Sequence, residues 1–415
     1  MNNYLTTIDE IAEIFDGPHA TPGKTSNGPY FLSISSLKNG TLDLAESAYL
    51  SDEDYIKWTK RVTPKEGDLL FSYETRLGEA ALMPKGIKAC LGRRMGLLRP
   101  KKDKVISEYL LYAYLSPAFQ GIIKTNTIRG ATVDRISLNQ MPKFKIRIPP
   151  LKQQQSVVGV LTSLDAKIEL NNRINAELEA MAKTLYDYWF VQFDFPNKNG
   201  KTYKSSGGKM VWNKELKREI PEGWEVKQLG TVLDTSLGGT PLTHNKSFWE
   251  NGTFNWLNSG EIADFPIVSS ELKITKDAIK KSATDLLPKG TTLLSITRHL
   301  RPTILAIDAC ANQSVVGIKE KGNIKNCYIY PYLKNEIPRL LVLRTGAQQP
   351  HINKETVDSS LMILPSDNST ILNDYNKIAD PLYNQIINNA FQNQHLSSLR
   401  DWLLPMLMNG QVKVS

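Results

Sequence analysis

Cysteine is scarce in this 415-residue chain: Cys90, Cys310 and Cys327 stand far apart, and none belongs to a C-x-x-C pair. That excludes a disulfide framework, argues against a zinc site, and suggests a reduced protein with buried thiols. Long apolar runs are missing. None reaches the roughly 18 to 20 residues a membrane span needs, and the first ten residues show no basic stretch followed by an apolar one, so no signal peptide is expected and a cytoplasmic setting is. The five histidines, His19, His244, His299, His351 and His395, show no H-x-x-x-H or H-E-x-x-H spacing, so no metal is expected. Catalytic signatures are equally thin. The one Pro-Pro pair, in Ile148-Pro-Pro-Leu151, lacks the acid or amide before it and the aromatic after it that an adenine methyltransferase uses. Leu237-Gly-Gly-Thr240 is too short for a glycine-rich cofactor loop, and no G-x-x-x-x-G-K-[ST] marks an ATP motor. Asp308 with Glu320 is a poor match to a metal-nuclease pattern. No cofactor is expected.

What the chain does have is net positive charge and self-similarity. A formal charge of +9, with 41% hydrophobic and 22% charged residues, describes a globular protein that favours a polyanionic partner. Landmarks recur in order at an offset of roughly 220 residues. Thr21-Pro22 returns as Thr240-Pro241, and Phe31-Leu-Ser-Ile-Ser-Ser-Leu37 as Trp256-Leu-Asn-Ser-Gly-Glu-Ile262. Gly67-Asp-Leu-Leu-Phe-Ser72 returns as Gly290-Thr-Thr-Leu-Leu-Ser295, and Ala89-Cys90 as Ala309-Cys310. Arg129-Gly130-Ala131 returns as Thr345-Gly346-Ala347, Lys145 to Pro149 as Leu361 to Pro365, and Asn171-Asn172 as Asn388-Asn389. A period this long describes two copies of a whole unit.

Each copy opens with a strand-rich region. β-prone runs include Asp68–Tyr73, Met95–Leu98, Lys143–Ile148, Thr291–Ile296 and Thr303–Ile307; Ser107 to Thr125 reads as one helix. Each copy then ends in a long helix of about 35 to 40 residues, roughly 50 to 60 Å. The first starts after Pro149-Pro150, with apolar Val157, Leu161, Leu164 and Ile168, polar Asn171, and a frame shift before Ile174, Leu178, Met181, Leu185 and Tyr188. The second runs Ile371, Tyr375, Ile378, Leu382, then polar Gln385, Asn389 and Gln392, then Leu396, Leu399 and Leu403. The 3.5-residue repeat predicts that the two helices pair as a coiled coil, with the polar middle fixing register. The aromatic cluster Tyr186, Tyr188, Trp189, Phe190, Phe193 and Phe195, and also Trp402, is read as packing against the other helix or a partner, in preference to base stacking. The expected division is a first recognition domain at 1–150, a helix at 151–195, a Gly/Ser/Lys-rich linker at 196–220, a second domain at 221–365 and a C-terminal helix at 366–415. The fold class is mixed α/β (α+β), with two pseudo-symmetric strand-rich domains and two long antiparallel helices.

This order of elements resembles the specificity subunit of type I restriction–modification systems. The resemblance is carried by Ile148-Pro-Pro-Leu-Lys-Gln-Gln-Gln155, Leu164-Asp-Ala-Lys-Ile168, Ala182-Lys-Thr-Leu-Tyr-Asp-Tyr-Trp-Phe-Val191 with Asp194-Phe-Pro196, Gly223-Trp224, and Leu399-Arg-Asp-Trp-Leu-Leu-Pro-Met-Leu-Met-Asn-Gly410. It implies that each globular domain reads one half of a split site on double-stranded DNA. It further implies that the helices hold two methyltransferase subunits, that restriction/translocase subunits join them, and that catalysis lies in those partners. Two unlike readers related by a pseudo-two-fold imply an asymmetric, interrupted site, with halves about one DNA turn or more apart.

The candidate DNA-contacting residues are basic and amide side chains in loops. They are Arg76, Arg93, Arg94, Arg129, Thr132 and Arg135 in the first copy, and Arg298, His299, Arg301, Asn312, Gln313, Arg344, Gln348, Gln349 and His351 in the second. Arginine can bridge a guanine edge with two bonds, and an amide can do the same for adenine. In the repeat, Arg76 falls near Arg298-His299, Arg93-Arg94 near Asn312-Gln313, and Thr132 at Gln348. Lys57, Trp58, Lys60 and Arg61 form a further basic patch, read as backbone-directed. Two other readings compete: an enzyme with an unfamiliar site, which calls for a cofactor-sized pocket with convergent acids, and a coiled-coil scaffold that reads no DNA.

Overall fold

The computed structural model describes residues 4–412 apart from Asn39 and Ala347, so the repeat landmark at Ala347 lies outside the described residues. The chain forms two compact units, one of residues 1–167 with 395–415, the other of residues 168–394.

In the first unit, Asp68-Leu-Leu-Phe-Ser-Tyr becomes the strand Leu69–Ser72 at the heart of an antiparallel sheet, in the order Ala12–Asp16, Met95–Pro100, Leu69–Ser72, Ala80–Leu82. Because side chains alternate across a strand, this apolar run covers both faces. Leu69, Phe71 and Tyr73 enter one cluster with Tyr109, Tyr114 and Phe119, while Leu70 enters another with Met95 and Leu97. Each fully buried leucine contributes about 1.5–3 kcal/mol. A smaller sheet pairs Thr25–Phe31 antiparallel to Ala48–Tyr49 and parallel to Ala89–Cys90, and Leu5–Thr7 pairs with Lys145–Arg147. The stretch expected as one helix is two, Ser107–Leu115 and Pro117–Thr125. Pro117 has no N–H to continue the first, and the Ser116 hydroxyl accepts from Phe119 N at 3.4 Å to start the second.

The second unit repeats these three sheets in the same strand order. Its four-stranded sheet runs Thr235–Leu237, Val315–Ile318, Thr292–Ser295, Pro302–Ile304. Phe254–Leu257 pairs antiparallel to Leu272–Ile274 and parallel to Ala309–Ala311, and Glu225–Gln228 pairs with Leu361–Leu364. All three cysteines are buried. Residues 196–220, expected as a linker, are folded. Asp194 accepts from Ser205 N and Oγ at 2.7 and 2.6 Å, Phe195 stacks on Tyr203 and Trp224, and Met210–Asn213 pairs with Arg218–Pro221 as a hairpin.

The two long helices span Leu151–Tyr186 and Ile371–Met408, the first continuing into a π-helical turn over Asp187–Val191. They run antiparallel within each unit. In the first unit Val157 and Leu161 share a core with Leu407 and Met408, Arg400 pairs with Asp165 at 2.9 Å, and the Tyr112 hydroxyl donates to the same carboxylate. Arg147 Nη1 caps the C-terminal helix at Met408 O, 2.7 Å. In the second unit the contact is an amide ladder. Asn171 Nδ2 donates to Gln392 Oε1 and Asn393 Oδ1 at 2.7 and 2.8 Å, and Asn389 Nδ2 donates to Asn175 Oδ1 at 2.8 Å.

Burial corrects the expected seams. The central helix keeps one frame without a shift: Val157, Leu161, Leu164, Ile168, Asn171, Asn175, Leu178, Ala182, Leu185 and Trp189 are all buried or half-buried. Ile174, Met181 and Tyr188 lie on the exposed face, Met181 at 57% exposure. Asn175 and Ala182 hold the frame, but neither registers as hydrophobic patterning. On the C-terminal helix Leu382, Leu396 and Leu403 are half-buried, whereas Ile378 and Leu399 are exposed. Apolar residues occur there in adjacent pairs such as Ile378-Ala379 and Leu382-Tyr383. The stripe's centre is therefore set by packing, which selects Ala379, Tyr383 and Ile386. The aromatic cluster packs as expected around Phe190, whose ring lies 4.8 Å from Tyr328 and 4.9 Å from Tyr375, but Tyr188 is excluded and Trp402 is exposed.

Candidate nucleic-acid interface

In each unit three loops converge beyond the end of the central strand, tied by the same backbone bonds. In the first unit, Tyr73 N donates to Arg94 O (3.3 Å), Ile136 N to Tyr73 O (2.9 Å) and Thr75 N to Asp134 O (3.3 Å). Glu74 bridges Arg135, the second strand of a small hairpin formed by Thr127–Ile128 and Arg135–Ile136. In the second unit, Ile296 N donates to Ser314 O (2.9 Å), Ile352 N to Ile296 O (3.0 Å) and Arg298 N to Pro350 O (2.9 Å), and Thr297 bridges His351. These bonds equate Thr75 with Arg298, Arg94 with Ser314 and Arg135 with His351. Thr75 and Arg298 both hold a left-handed backbone, φ 71° and 56°. That conformation is costly for non-glycine residues, above all for β-branched threonine, and it persists only where the surrounding bonds enforce it.

The convergence gathers Arg76, Arg93, Arg94, Arg129, Thr132 and Arg135 in one unit, and Arg298, His299, Gln348, Gln349 and His351 in the other. Arg93, Arg129, Thr132 and Arg135 are exposed, and among the described residues none has an ion pair. Arg301 is exposed in the turn after Thr297, its carbonyl accepting from Ser295 N. Several candidates are already engaged. Arg76 pairs with Glu79 at 3.0 Å and Arg94 with Glu74 at 2.6 Å. Arg344 donates to the carbonyls of Leu341 and Arg298, which makes it a loop clamp, and Asn312 Oδ1 accepts from Ser314 N in its own turn. Gln313 accepts from the Thr240 hydroxyl. His351 Nδ1 lies 3.1 Å from Gln349 O.

Sequence reasoning missed Glu74, Tyr73, Asp16 and Thr240. Asp16 comes from the neighbouring strand, where it receives Arg61 Nη1 at 2.7 Å and His19 Nε2 at 3.4 Å. The Tyr73 hydroxyl is buried without a hydrogen-bond partner among the described residues, and its pKa is pushed up to about 12, chiefly by burial and then by Asp16 and Glu74. Only an acid between Tyr73 and the basic loop marks Glu74 in the sequence, and nothing there joins it to Arg94. In the basic patch of the first unit, Lys57 pairs with Asp54 and Arg61 with Asp16, while Lys60 is exposed. Among the described residues no cluster of three or more potential metal ligands occurs, and no helix is long and apolar enough to cross a membrane. Asp308 accepts from Lys289 N and Glu320 from Asn326 N, so both carboxylates serve turns.

Residues 6–180 and 221–397, the two copies, each match the type I restriction modification DNA specificity domain. The chain is 26% identical to the type I restriction enzyme MjaIX specificity subunit of Methanocaldococcus jannaschii, over 99% of this chain and 90% of that one. It is 22% identical to the HindI specificity subunit of Haemophilus influenzae, over 84% and 87%. The crystal structure of a type I restriction–modification S subunit from M. genitalium superposes with a TM-score of 0.55 at 14% identity, covering 97% of this chain and 95% of that one, a likeness of fold. Paired matches over most of its length, on a duplicated architecture, show that this chain belongs to the type I restriction–modification DNA specificity family.

Proposed function

We propose that this chain reads an asymmetric, two-part site on duplex DNA in the cytoplasm, one half with each loop cluster, and positions methyltransferase and restriction subunits that modify or cut. The observation that carries the reading is the pair of loop clusters. The same backbone bonds hold matching positions in both units, while the side chains differ: Arg135 against His351, Arg94 against Ser314. Two readers of different sequences need a shared frame and unlike reading groups. Arg93, Arg129 and Arg135, exposed and without an ion pair among the described residues, suit a polyanion, and so does the net charge of +9.

The helices support the partner assignment. Leu170, Ile174, Met181 and Tyr188 form an exposed apolar stripe at helical spacing, a second seam open to helices from a modification subunit. Catalysis is assigned to those partners.

The test is reconstitution. The chain with its modification subunits should bind its methylation site selectively, with affinity falling steeply as salt rises. Arg135→Ala should relax selectivity in one half-site and His351→Ala in the other. Methyl transfer from S-adenosylmethionine by the chain alone would refute the assignment, as would selectivity that neither substitution changes.

A further inference from the structure

Four positions in register differ in kind between the units. Asp16 lies opposite Gly96 as Leu237 lies opposite Val316, and the loop bonds equate Tyr73, Glu74 and Arg94 with Ile296, Thr297 and Ser314. One unit thus carries a polar, charged group where the other is apolar or neutral. At its centre Arg94 Nη1 meets Glu74 Oε2 at 2.6 Å, with side chains 32% and 17% exposed. Arg94 also takes a left-handed backbone, φ 67°.

The pairing decides what Arg94 can do. A guanidinium neutralised by a carboxylate is a poor phosphate anchor, because phosphate binding draws on net positive charge. Its shape is unaffected. With Nη1 held, Nε and Nη2 form the remaining edge, and the Arg94 ion pair among the described residues is the one through Nη1. Two parallel N–H donors in a plane match O6 and N7 of guanine in the major groove. No other base edge offers two acceptors side by side there. The carboxylate also restricts the rotation of the arginine, so less freedom is lost on binding.

We propose that Arg94 reads a guanine in one half-site and that Glu74 is its positioning residue. This rests on the DNA-reading assignment above. Ser314 has no fork, so the second unit reads nothing in this way at the matching place.

The experiment uses the chain reconstituted with its modification subunits. Duplexes carry 7-deazaguanine, which lacks the N7 acceptor, at each guanine of the recognised site in turn. Wild type should lose about tenfold or more in affinity at the position Arg94 reads. Arg94→Ala should lose as much on the natural duplex, become indifferent to 7-deazaguanine at that one position, and stay sensitive at the others. Arg94→Lys keeps the charge but has no planar fork and should behave like Arg94→Ala there, which covers the case in which alanine disturbs the fold. Glu74→Ala should weaken discrimination at the same position alone, and the double variant should be no worse than Arg94→Ala. The proposal is overturned if Arg94→Ala stays sensitive at every guanine, if Glu74→Ala weakens binding to all duplexes equally, or if the site contains no guanine. A wild-type complex indifferent to 7-deazaguanine at every position overturns it as well, whereas one that binds its site no better than unrelated duplex overturns the DNA-reading assignment itself.

Discussion

The frame of the central helix can be tested with two adjacent residues. Met181 is 57% exposed, and Ala182 is fully buried in the cluster that holds Tyr186, Tyr375, Ala379 and Ile386. Glutamate is a good helix former, so neither Met181→Glu nor Ala182→Glu should act through helix propensity. At position 182 the new carboxylate would be buried without a partner, costing about 3–5 kcal/mol. In a unit of this size each kcal/mol moves the melting temperature by about 2–4 °C, so Ala182→Glu should lower it by about 6–20 °C. Met181→Glu changes an exposed position and should stay within about 0.5 kcal/mol. The assay is thermal unfolding of the purified chain followed by circular dichroism. Capture of the modification subunit is measured alongside, where Met181→Glu should lose binding while keeping its melting temperature. If Met181→Glu destabilises the chain as much as Ala182→Glu, the uninterrupted frame is wrong.

Two further predictions follow from buried polar groups. Asn171→Leu removes a buried carbonyl oxygen that has no partner among the described residues, but strands the acceptors of Gln392 and Asn393. Stability should change by no more than about 1–2 kcal/mol, while species heavier than one chain grow in light scattering because the register marker is gone; a large loss of stability without such species counts against the register role. The Asp194 carboxyl is held below its ordinary value, first by the Ser205 hydroxyl and then by its N–H. Such a group stabilises the fold above its ordinary range and loses that contribution as pH falls through the lowered value. Below about pH 4 the wild type should therefore lose stability more steeply than Asp194→Asn, and identical acid profiles in urea titrations would remove Asp194 as the cause.

Much of this was legible in the sequence because it was written twice. The repeat of Gly67–Ser72 at Gly290–Ser295, and of Ala89-Cys90 at Ala309-Cys310, marks strands that occupy matching places in matching sheets. Local chemistry was legible as well: Pro149-Pro150 ends one element, and the long helix opens at Leu151. The break at Ser116 was visible only as a lone Pro117 inside an apolar run, a weaker signal than the helical periodicity around it.

The sequence by itself determined the duplication, the two long helices, the excess of positive charge and the loops that carry basic and amide side chains. These follow from local propensity, apolar period and charge, which act over a few residues or repeat within the chain. Only the tertiary structure decided which face of each helix is buried, since Asn175 and Ala182 enter the seam through what they meet across it. It also decided that Glu74 neutralises Arg94, Asp16 holds Arg61 and Thr240 holds Gln313. Those partners are brought together by strand register and loop closure. The free energy that selects them belongs to contacts between distant segments, which no local pattern encodes.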